Sequence, residues 1–259
     1  MSEILLDIEA GVLTITINRP ERRNAINEEV CGGIEDAIRA ANRDSDARVI
    51  VLTGAGDKAF CAGGDLKPGA DGTPFTIDPS DPNHYVIKLF KEMERCKIPI
   101  VARVNGHALA GGLGLVCACD MAIGVRGAKF GTPESGIGLF PMMILAYMQR
   151  VIPRRKLFEL CVTGEAFSAD DCLEMGILNY VVESNELDDK MEWFTGRIVN
   201  KSPTAVKLGK QAFHAIEDMT LDKAFEYTQL MLPMMAMTED AKEGFAAFNE
   251  KRSPDWPGR

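Results

Sequence analysis

The stretch IPIVARVNGHALAGGLGLVCACDMAIGV, residues 98–125, decides the fold class. It contains an apolar strand pattern at Ile98–Val104, a glycine-rich turn that opens an apolar helix at Leu113–Cys119, and a second strand pattern at Met121–Val125. A strand followed by a helix and another strand is the repeating unit of α/β proteins. We therefore predict an α/β fold built outward from this stretch.

The sequence before this stretch continues the alternation of strands and helices. Val12–Ile17 alternates apolar and polar residues, as a half-buried strand does, and Ile4–Glu9 can pair with it across a turn at Ala10-Gly11. The pattern then predicts a helix over 27–42, a buried strand over 48–53, a surface loop rich in Gly, Pro and Asp over 69–83, and a helix over 84–96.

The sequence after Val182 is helical in pattern throughout. Before it, Ser168–Asp171 resembles a capping box at a helix start, and Gly176 is a suitable stop. Thr238 is placed to cap the last helix. We expect two units, a core over 1–195 and a helical C-terminal region over 196–259.

Composition and charge narrow the class of protein. The chain has 259 residues, is 46% hydrophobic and carries a formal net charge of −9. An acidic chain argues against a nucleic-acid partner, because a phosphate backbone requires a basic face. No apolar run reaches the roughly 18 residues of a membrane helix, and residues 1–10 do not resemble a signal peptide. We expect a cytoplasmic protein that does not insert into a membrane.

Cysteine and histidine spacing gives no sign of a metal site. The seven cysteines form no C-x-x-C pair, and the three histidines show no metal-ligand spacing. We expect reduced, mostly buried thiols and no bound metal. The cysteines are at positions 31, 61, 96, 117, 119, 161 and 172.

Two glycine-rich stretches have both a structural and a functional interpretation. Ala110-Gly-Gly112 is neither a Walker loop nor a good dinucleotide fingerprint. Two glycines at a helix start let a ligand oxygen approach backbone N–H groups, but they also suit a tight strand-to-helix turn. Phe60–Asp65 follows a strand and a Gly-Ala-Gly turn. It can supply another exposed N–H, or it can be a plain loop.

Glu134 and His107 are the candidate proton-transfer residues. Glu134 follows Gly131-Thr-Pro133 on a rigid turn, where it is either a catalyst or a solvated first-turn glutamate. His107 lies near the glycine turn, although a lone histidine is more often structural. A Gly-x-Ser-x-Gly elbow is missing from the sequence, so a serine hydrolase lacks its main signature.

Taken in order, these segments resemble the crotonase superfamily, the enoyl-CoA hydratase/isomerase family, over essentially the whole chain. One such segment would be weak support, whereas the ordered set is specific. Its members are 13–20 with 24–27, 49–54, 59–66, 99–106 with 110–112, Cys119-Asp120 and 130–134; the segments 160–176 and 246–252 look like the family's downstream helices.

The resemblance implies a fold and a reaction centre. The implied fold is a crotonase-like spiral of ββα units with a helical C-terminal trimerisation region, assembled as a homotrimer or a dimer of trimers. The implied substrate is an acyl-CoA thioester, with coenzyme A as part of the substrate and no separate cofactor. The N–H groups of Gly64 and Gly111 would form an oxyanion hole, and Glu134 would be the acid/base.

The resemblance also implies where coenzyme A binds. The contact residues would be Arg22, Ala25, Ala62, Asp65 and Leu66. Local basic groups would offset the acidic total, although each can equally be a solvated surface charge; these are Arg19, Arg22, Arg23 and Lys67. The loop 69–83 and the segment 139–143 would shape the acyl pocket.

Gly114 departs from the family pattern of hydratases. Those enzymes carry a second glutamate at this place, whereas this chain reads Gly112-Leu113-Gly114. Glycine can neither bind the attacking water nor exchange a proton, so we expect double-bond isomerisation or an atypical hydration. The alternatives are another crotonase chemistry, such as acyl-CoA decarboxylation or thioester hydrolysis, and a non-catalytic acyl-CoA-binding protein.

Overall fold

The computed structural model describes residues 2–43, 46–66 and 79–259, and the following statements concern that part of the chain. Its strands are β1 Ile4–Glu9, β2 Val12–Ile17, β3 Val49–Gly54, β4 Ala59–Cys61, β5 Ile100–Val104, β6 His107–Leu109, β7 Met121–Val125, β8 Lys129–Gly131, β9 Phe167–Ser168 and β10 Tyr180–Val182. They form two sheets, one with the order β1-β2-β3-β5-β7-β10 and a smaller one with the order β4-β6-β8-β9.

The larger sheet contains the predicted strands. β1 and β2 form the expected antiparallel hairpin, and Ala10 (φ 48°) and Gly11 (φ 81°) take the positive φ values that a tight hairpin turn requires. The other neighbouring strands pair in parallel. β3 is buried along its whole length, as expected for a central parallel strand.

The smaller sheet was not predicted from the sequence. β4, β6 and β8 are parallel neighbours of three residues each, and the two-residue β9 pairs antiparallel with β8. Strands this short contain too few residues for an alternating pattern to be recognised. Their positions depend on contacts with segments far away in the sequence.

The helices agree with the sequence patterns to within a few residues. The predicted capping box is present at Ser168, and the Thr238 hydroxyl accepts a hydrogen bond from the Ala241 N–H at 3.1 Å. One helix begins at Gly111, two residues before the predicted start, so both glycines of the pair lie in its first turn. The helices are α1 Glu28–Arg43, α2 Tyr85–Arg95, α3 Gly111–Ala118, α4 Met142–Val151, α5 Arg154–Thr163, α6 Ala169–Glu174, α7 Leu187–Val199, α8 Pro203–Ile216, α9 Leu221–Ala236 and α10 Glu239–Glu250.

Two buried asparagines tie together the loops that lead into β4. The Asn105 amide nitrogen donates to the carbonyls of Gly54 and Gly56 at 2.7 and 2.6 Å. The Asn24 amide nitrogen donates to the carbonyls of Ala55 and Ala59 at 2.9 and 2.7 Å. These bonds satisfy backbone carbonyls from the last residue of β3 to the first residue of β4, which keeps the crossing between the two sheets rigid.

The C-terminal third is helical, as predicted. Helices α7 to α10 follow β10, and the expected boundary between 1–195 and 196–259 falls inside α7. That division stays a prediction. Among the described helices none combines the length and apolar character needed to cross a membrane.

Helix α8 is held against the core through Asp120. Lys210 Nζ lies 2.6 Å from Asp120 Oδ2, and His214 Nε2 lies 3.2 Å from Asp120 Oδ1. His214 Nδ1 lies 3.5 Å from Glu94 Oε1, too far for a good hydrogen bond but close enough for an ion pair when the ring is charged. Two cationic side chains of α8 therefore converge on carboxylates of the core.

The pKa values of this cluster favour its charged form. The hydrogen bond to Asp120 raises the pKa of His214 above its usual value, although burial opposes the change. Burial alone would raise the pKa of Asp120, but bonds from His214, Lys210 and the Ile100 N–H outweigh it and hold that pKa below its usual value. The contact is thus strongest when His214 is protonated and Asp120 is ionised.

We predict that His214→Gln destabilises the protein more at mildly acidic than at alkaline pH. The histidine pKa is higher in the folded state, so its contribution is complete below about pH 6.5 and is lost as the pH rises through the raised value. Urea unfolding should show a loss of about 1 kcal/mol near pH 5.5 and less near pH 8.5. An equal loss at both pH values, or an unchanged pH dependence in an Asp120→Asn background, would contradict this.

Candidate functional site

Three adjacent parallel strands bring the candidate groups together. Gly64 follows the end of β4, Gly111 follows the end of β6, and Glu134 follows the end of β8. The carboxyl ends of parallel strands meet at one edge of a sheet, where ligands commonly bind. The small sheet thus places the two predicted glycines and the predicted glutamate at the same edge.

Ala110 turns the chain from β6 into α3. Its φ of 49° and ψ of −124° are rare for a residue with a side chain, and its N–H donates to the Gly131 carbonyl at 2.8 Å. Gly111 is the first helical residue, so its N–H has no partner within the helix. This turn therefore exposes a backbone donor at the end of β6.

The N–H groups of Gly64 and Gly111 are neighbours. A methyl group placed on Gly111 would lie 3.6 Å from the Gly64 nitrogen, and one placed on Gly63 would lie 3.3 Å from the Gly111 nitrogen. In the described part of the chain neither N–H donates a hydrogen bond. Among the described residues, no atom beyond its chain neighbours lies within 4 Å of a methyl group placed on Gly64. Two N–H groups without a partner among the described residues consequently lie side by side.

Gly112 makes this approach possible. A methyl group on it would lie 2.0 Å from the Cys61 carbonyl oxygen, a backbone atom that cannot move aside. Gly63 is similarly restricted, because its φ is 101° and an added methyl would lie 2.7 Å from the Ala110 side chain. Only glycine at these two positions lets α3 and the segment after β4 come close enough for the Gly64 and Gly111 N–H groups to lie side by side.

The loop after β2 fixes the direction of the Gly64 N–H. The Ile26 N–H donates to the Gly63 carbonyl at 2.8 Å, and the Asp65 N–H donates to the Ile26 carbonyl at 2.8 Å. The Ala62 N–H donates to the Arg23 carbonyl at 3.0 Å. Residues on both sides of Gly64 are thus bonded to the same loop, which leaves the Gly64 N–H directed away from it.

Arg19 has a structural position rather than the predicted phosphate contact. Its guanidinium is buried, donates to the Asp65 carboxylate at 2.9 Å and to the Ala25 carbonyl at 2.6 Å, and pairs with Glu3 at 3.0 Å. Both Asp65 and the Ala25 carbonyl, which the resemblance placed at the coenzyme A site, are therefore engaged with Arg19.

The remaining predicted contacts of coenzyme A lie nearby. Arg22 and Arg23 are exposed at the end of the 3-10 helix that follows β2, and Leu66 is exposed beyond Gly64. A cavity of about 390 Å3 opens beside Ala62 and Arg23, but most of its lining lies at the amino ends of β4, β6 and β8, including Lys58 and His107, and it does not include Gly64, Gly111 or Glu134. Lys67 and most of the loop 69–83 lie outside the described residues.

Glu134 is a half-buried carboxylate with an unusual environment. It lies in the first turn of a 3-10 helix, Pro133–Ile137, that follows β8. Its Oε2 atom is buried and has no hydrogen-bond partner in the described part of the chain. Burial raises its pKa above the usual value for glutamate, although its own backbone N–H partly opposes the change. A carboxylate in this state is a stronger base than a solvated one.

The surface next to Glu134 is apolar. Ile137, Leu139 and Met142 are exposed within eight residues of it, and Phe140 is half-buried among them. This rim includes most of the segment 139–143 that was expected to shape the acyl pocket. Apolar side chains there favour a ligand with an apolar portion.

Gly114 faces helix α4 rather than an open pocket. A methyl group on it would lie 2.2 Å from Ile144 Cγ2 and 2.6 Å from Ile144 Cβ, and 3.4 Å from the ring of Phe90. The space beside Gly114 is therefore filled by the side chain of Ile144. The absence of a second carboxylate at Gly114 stays a prediction from the resemblance, and the contact with Ile144 was not predicted from the sequence.

Other polar groups near the site have structural partners. His84 caps α2, with its Nδ1 accepting from the Val86 N–H at 3.3 Å. His107 lies at the opposite end of β6 from Gly111, and its Nδ1 accepts from the Lys129 N–H at 3.1 Å. The sequence hypothesis of a catalytic His107 is not supported by this position. The described residues contain no group of three or more potential metal ligands.

Comparisons with known proteins identify the family of this chain. Residues 7–259 match the family model described as enoyl-CoA hydratase/isomerase. The chain is 34% identical to the (E)-benzylidenesuccinyl-CoA hydratase of Thauera aromatica, covering 98% of this chain and 99% of that protein. It is 33% identical to a short-chain-enoyl-CoA hydratase of Clostridium acetobutylicum, covering 97% and 96%.

Solved structures show the same fold. An enoyl-CoA hydratase of Mycobacterium smegmatis superposes with a TM-score of 0.88 at 34% identity, covering 98% of both chains. An enoyl-CoA hydratase of Bacillus anthracis superposes with a TM-score of 0.90 at 29% identity, covering 99% of this chain and all of that one. The expected fold is confirmed.

We predict that alanine at Gly111 lowers enzymatic turnover, whereas alanine at the adjacent Gly112 lowers thermal stability. Gly111→Ala should fold normally, because the nearest side-chain atom, Ile26 Cδ1 at 3.3 Å, can give way. Its methyl would occupy the space between the two N–H groups, so turnover should fall about 100-fold or more. Gly112→Ala should instead lower the thermal unfolding midpoint strongly, because of the contact with Cys61.

The matched control is Gly32→Ala, also a helical glycine but with nothing within 4 Å of the added methyl. Its unfolding midpoint should rise slightly or stay unchanged, and its turnover should stay unchanged. A Gly111→Ala enzyme with full activity would contradict the inferred use of the paired donors.

Proposed function

Because the chain belongs to the enoyl-CoA hydratase/isomerase family, we propose that it holds an acyl-CoA thioester carbonyl between the N–H groups of Gly64 and Gly111 and transfers protons beside it through Glu134. The observation that supports this most directly is the pair of adjacent N–H groups that have no hydrogen-bond partner among the described residues. A thioester oxygen between them would accept both hydrogen bonds.

Two such donors acidify the carbon next to the carbonyl. Removing a proton from the α-carbon moves negative charge onto the thioester oxygen, and both bonds to that oxygen strengthen as the charge develops. Donors that are already in place need no reorganisation, and losing one typically costs ~3–4 kcal/mol of transition-state stabilisation. The rigid turns around Gly63, Ala110 and Gly112 provide this fixed placement.

Glu134 would carry the proton. In a 3-enoyl-CoA, its carboxylate takes a proton from C2, and the electron pair delocalises through the carbonyl carbon C1 onto the thioester oxygen, which gives a dienolate conjugated with the C3–C4 double bond. When the charge returns from the oxygen, a C2–C3 double bond forms, and the electron pair of the former C3–C4 double bond takes the proton back from the same carboxyl group at C4. The product is the 2-enoyl-CoA, with no net gain or loss of atoms. The unpartnered buried oxygen and the raised pKa suit a group that must accept and return a proton.

Isomerisation is the reaction that this set of groups supports best. Isomerisation requires one carboxyl group. Hydration in this family usually requires two, which together hold the water molecule and transfer its protons. The position of the second carboxylate is held by Gly114 and filled by Ile144. Hydration is the second candidate, and it is favoured by the relatives of Thauera aromatica and Clostridium acetobutylicum, which are named hydratases.

We further propose that the protein works without a separate cofactor and assembles as a homotrimer or a dimer of trimers. Large apolar side chains of the C-terminal helices are exposed in the single chain, which favours burial against other copies. They include Phe213, Phe225, Leu232, Met237 and Phe248.

We predict that Glu134→Gln lowers kcat by about 100-fold or more on the best substrate, because glutamine keeps the shape of glutamate but cannot accept the proton. The experiment supplies 2-enoyl, 3-enoyl and branched acyl-CoAs and identifies the products by mass spectrometry. Because the pKa of Glu134 is raised, activity should fall at a higher pH on the acid side than an ordinary glutamate would give.

Glu165→Gln, an exposed glutamate after α5, is the matched control and should keep wild-type activity. If the wild-type protein converts none of these thioesters, the proposed function is wrong. If Glu134→Gln retains full activity, another group transfers the proton.

We predict that Arg22 and Arg23 contribute to binding of the coenzyme A nucleotide. Both are exposed, and Arg23 lines the cavity beside Ala62. Changing both to glutamine should weaken binding of free coenzyme A and reduce its dependence on salt, measured by calorimetry at two ionic strengths. An Arg154→Gln, Arg155→Gln double variant on α5 removes the same charge elsewhere; equal losses in the two double variants would show that net charge alone is responsible.

A further inference from the structure

The contact between Gly114 and Ile144 joins two helices at the reaction centre. Ile144 lies in the first turn of α4 and is almost fully buried, and Gly114 lies in α3. The distances of 2.2 and 2.6 Å from an added methyl to Ile144 mean that position 114 has no room for any side chain. The Ile144 side chain therefore fits only because residue 114 is glycine.

Gly114 is also close in the helix to the oxyanion donor. Gly111 and Gly114 are three residues apart, so they lie on neighbouring positions of one face of α3. A side chain at 114 would therefore project one turn along from the Gly111 N–H. In this protein the place is covered by the hydrocarbon of Ile144, with the ring of Phe90 next to it.

This covering has a chemical consequence. Isoleucine and phenylalanine side chains carry no hydrogen-bond donor or acceptor, so neither of the two side chains that cover this place can hold a water molecule there. Water addition to an enoyl thioester requires a held water molecule, whereas returning a proton from Glu134 to carbon does not. A dry wall beside the oxyanion donors disfavours the first step and leaves the second unaffected.

We infer that Ile144 is a specificity-determining residue, which keeps the second-acid position closed and dry and so directs the site toward proton return rather than water addition. This inference rests on the proposed function of the same site. According to this inference, α4 as well as α3 determines which reaction the site favours. A glutamate at position 114 would not fit unless the Ile144 side chain were also removed.

The test follows from the two distances. Alanine at 144 would keep a Cβ atom 2.6 Å from the new side chain, so glutamate at 114 needs glycine at 144. The variants are Ile144→Gly, Gly114→Glu and the double variant Gly114→Glu, Ile144→Gly. Met148→Gly is the matched control, because Met148 is fully buried one turn further along α4. The readout is the ratio of kcat/KM for hydration of crotonyl-CoA to kcat/KM for isomerisation of 3-hexenoyl-CoA.

We expect the double variant to raise this ratio by about tenfold or more over Ile144→Gly, the scale of regaining one general acid/base. Gly114→Glu alone should unfold at lower temperature without raising the ratio, and Met148→Gly should leave the ratio within about twofold of wild type. A folded double variant with an unchanged ratio would overturn the inference. So would a rise of equal size in Met148→Gly.

A second measurement does not depend on the folding of the double variant. Isomerisation in D2O reports how often the proton on Glu134 exchanges with solvent before it returns to carbon. Ile144→Gly should increase deuterium at C4 of the product at least about twofold over wild type, and Met148→Gly should not. Equal deuterium in wild type and Ile144→Gly would overturn the inference. A wild-type protein inactive on every enoyl-CoA would refute the proposed function itself, so the two failures are distinguishable.

Discussion

The approach of Gly112 to the carbonyl of Cys61 is the contact on which the site depends. At that point helix α3 lies so close to the end of β4 that a single methyl group would be 2.0 Å from the carbonyl oxygen. The closeness brings the Gly111 N–H beside the Gly64 N–H. Protein interiors are packed too densely for such a distance to be recovered by small shifts elsewhere. The close approach of the Gly64 and Gly111 N–H groups therefore requires that position 112 carry no side chain.

The carboxylates around this contact differ according to their partners. Asp65 is bonded to the buried Arg19, and this ion pair holds the Gly64 loop against the loop after β2. Asp120 is held ionised by cationic side chains of α8. Glu134 has no such partner in the described part of the chain, and its buried oxygen stays unpaired. A paired carboxylate stabilises structure, whereas an unpaired, half-buried one remains available for proton transfer.

Sheet topology explains why these groups meet. β4, β6 and β8 contribute three residues each, yet they are adjacent and parallel, so the chain leaves all three at one edge. Helices α3 and α4 then pack across that edge through Gly114 and Ile144. The small sheet thus sets the positions of Gly64, Gly111 and Glu134, and the packing of α3 against α4 fills the space beside Gly114.

The sequence by itself determined the α/β alternation, the hairpin, the glycine pair at a helix start and the carboxylate after Gly-x-Pro. These are local signals, since periodicity, turn residues and capping residues lie within a few positions of one another. The ordered motifs also identified the family and the predicted site residues. Tertiary structure alone decided the second sheet, the burial of Arg19 and the filling of the space beside Gly114. Each of these depends on segments some 20 to 50 residues apart in the sequence, such as Gly114 and Ile144 or Arg19 and Asp65. Such long-range contacts produce no periodic pattern in either segment. Nothing in the sequence around Gly114 indicates that Ile144 will lie beside it, and nothing around Ile144 indicates Gly114.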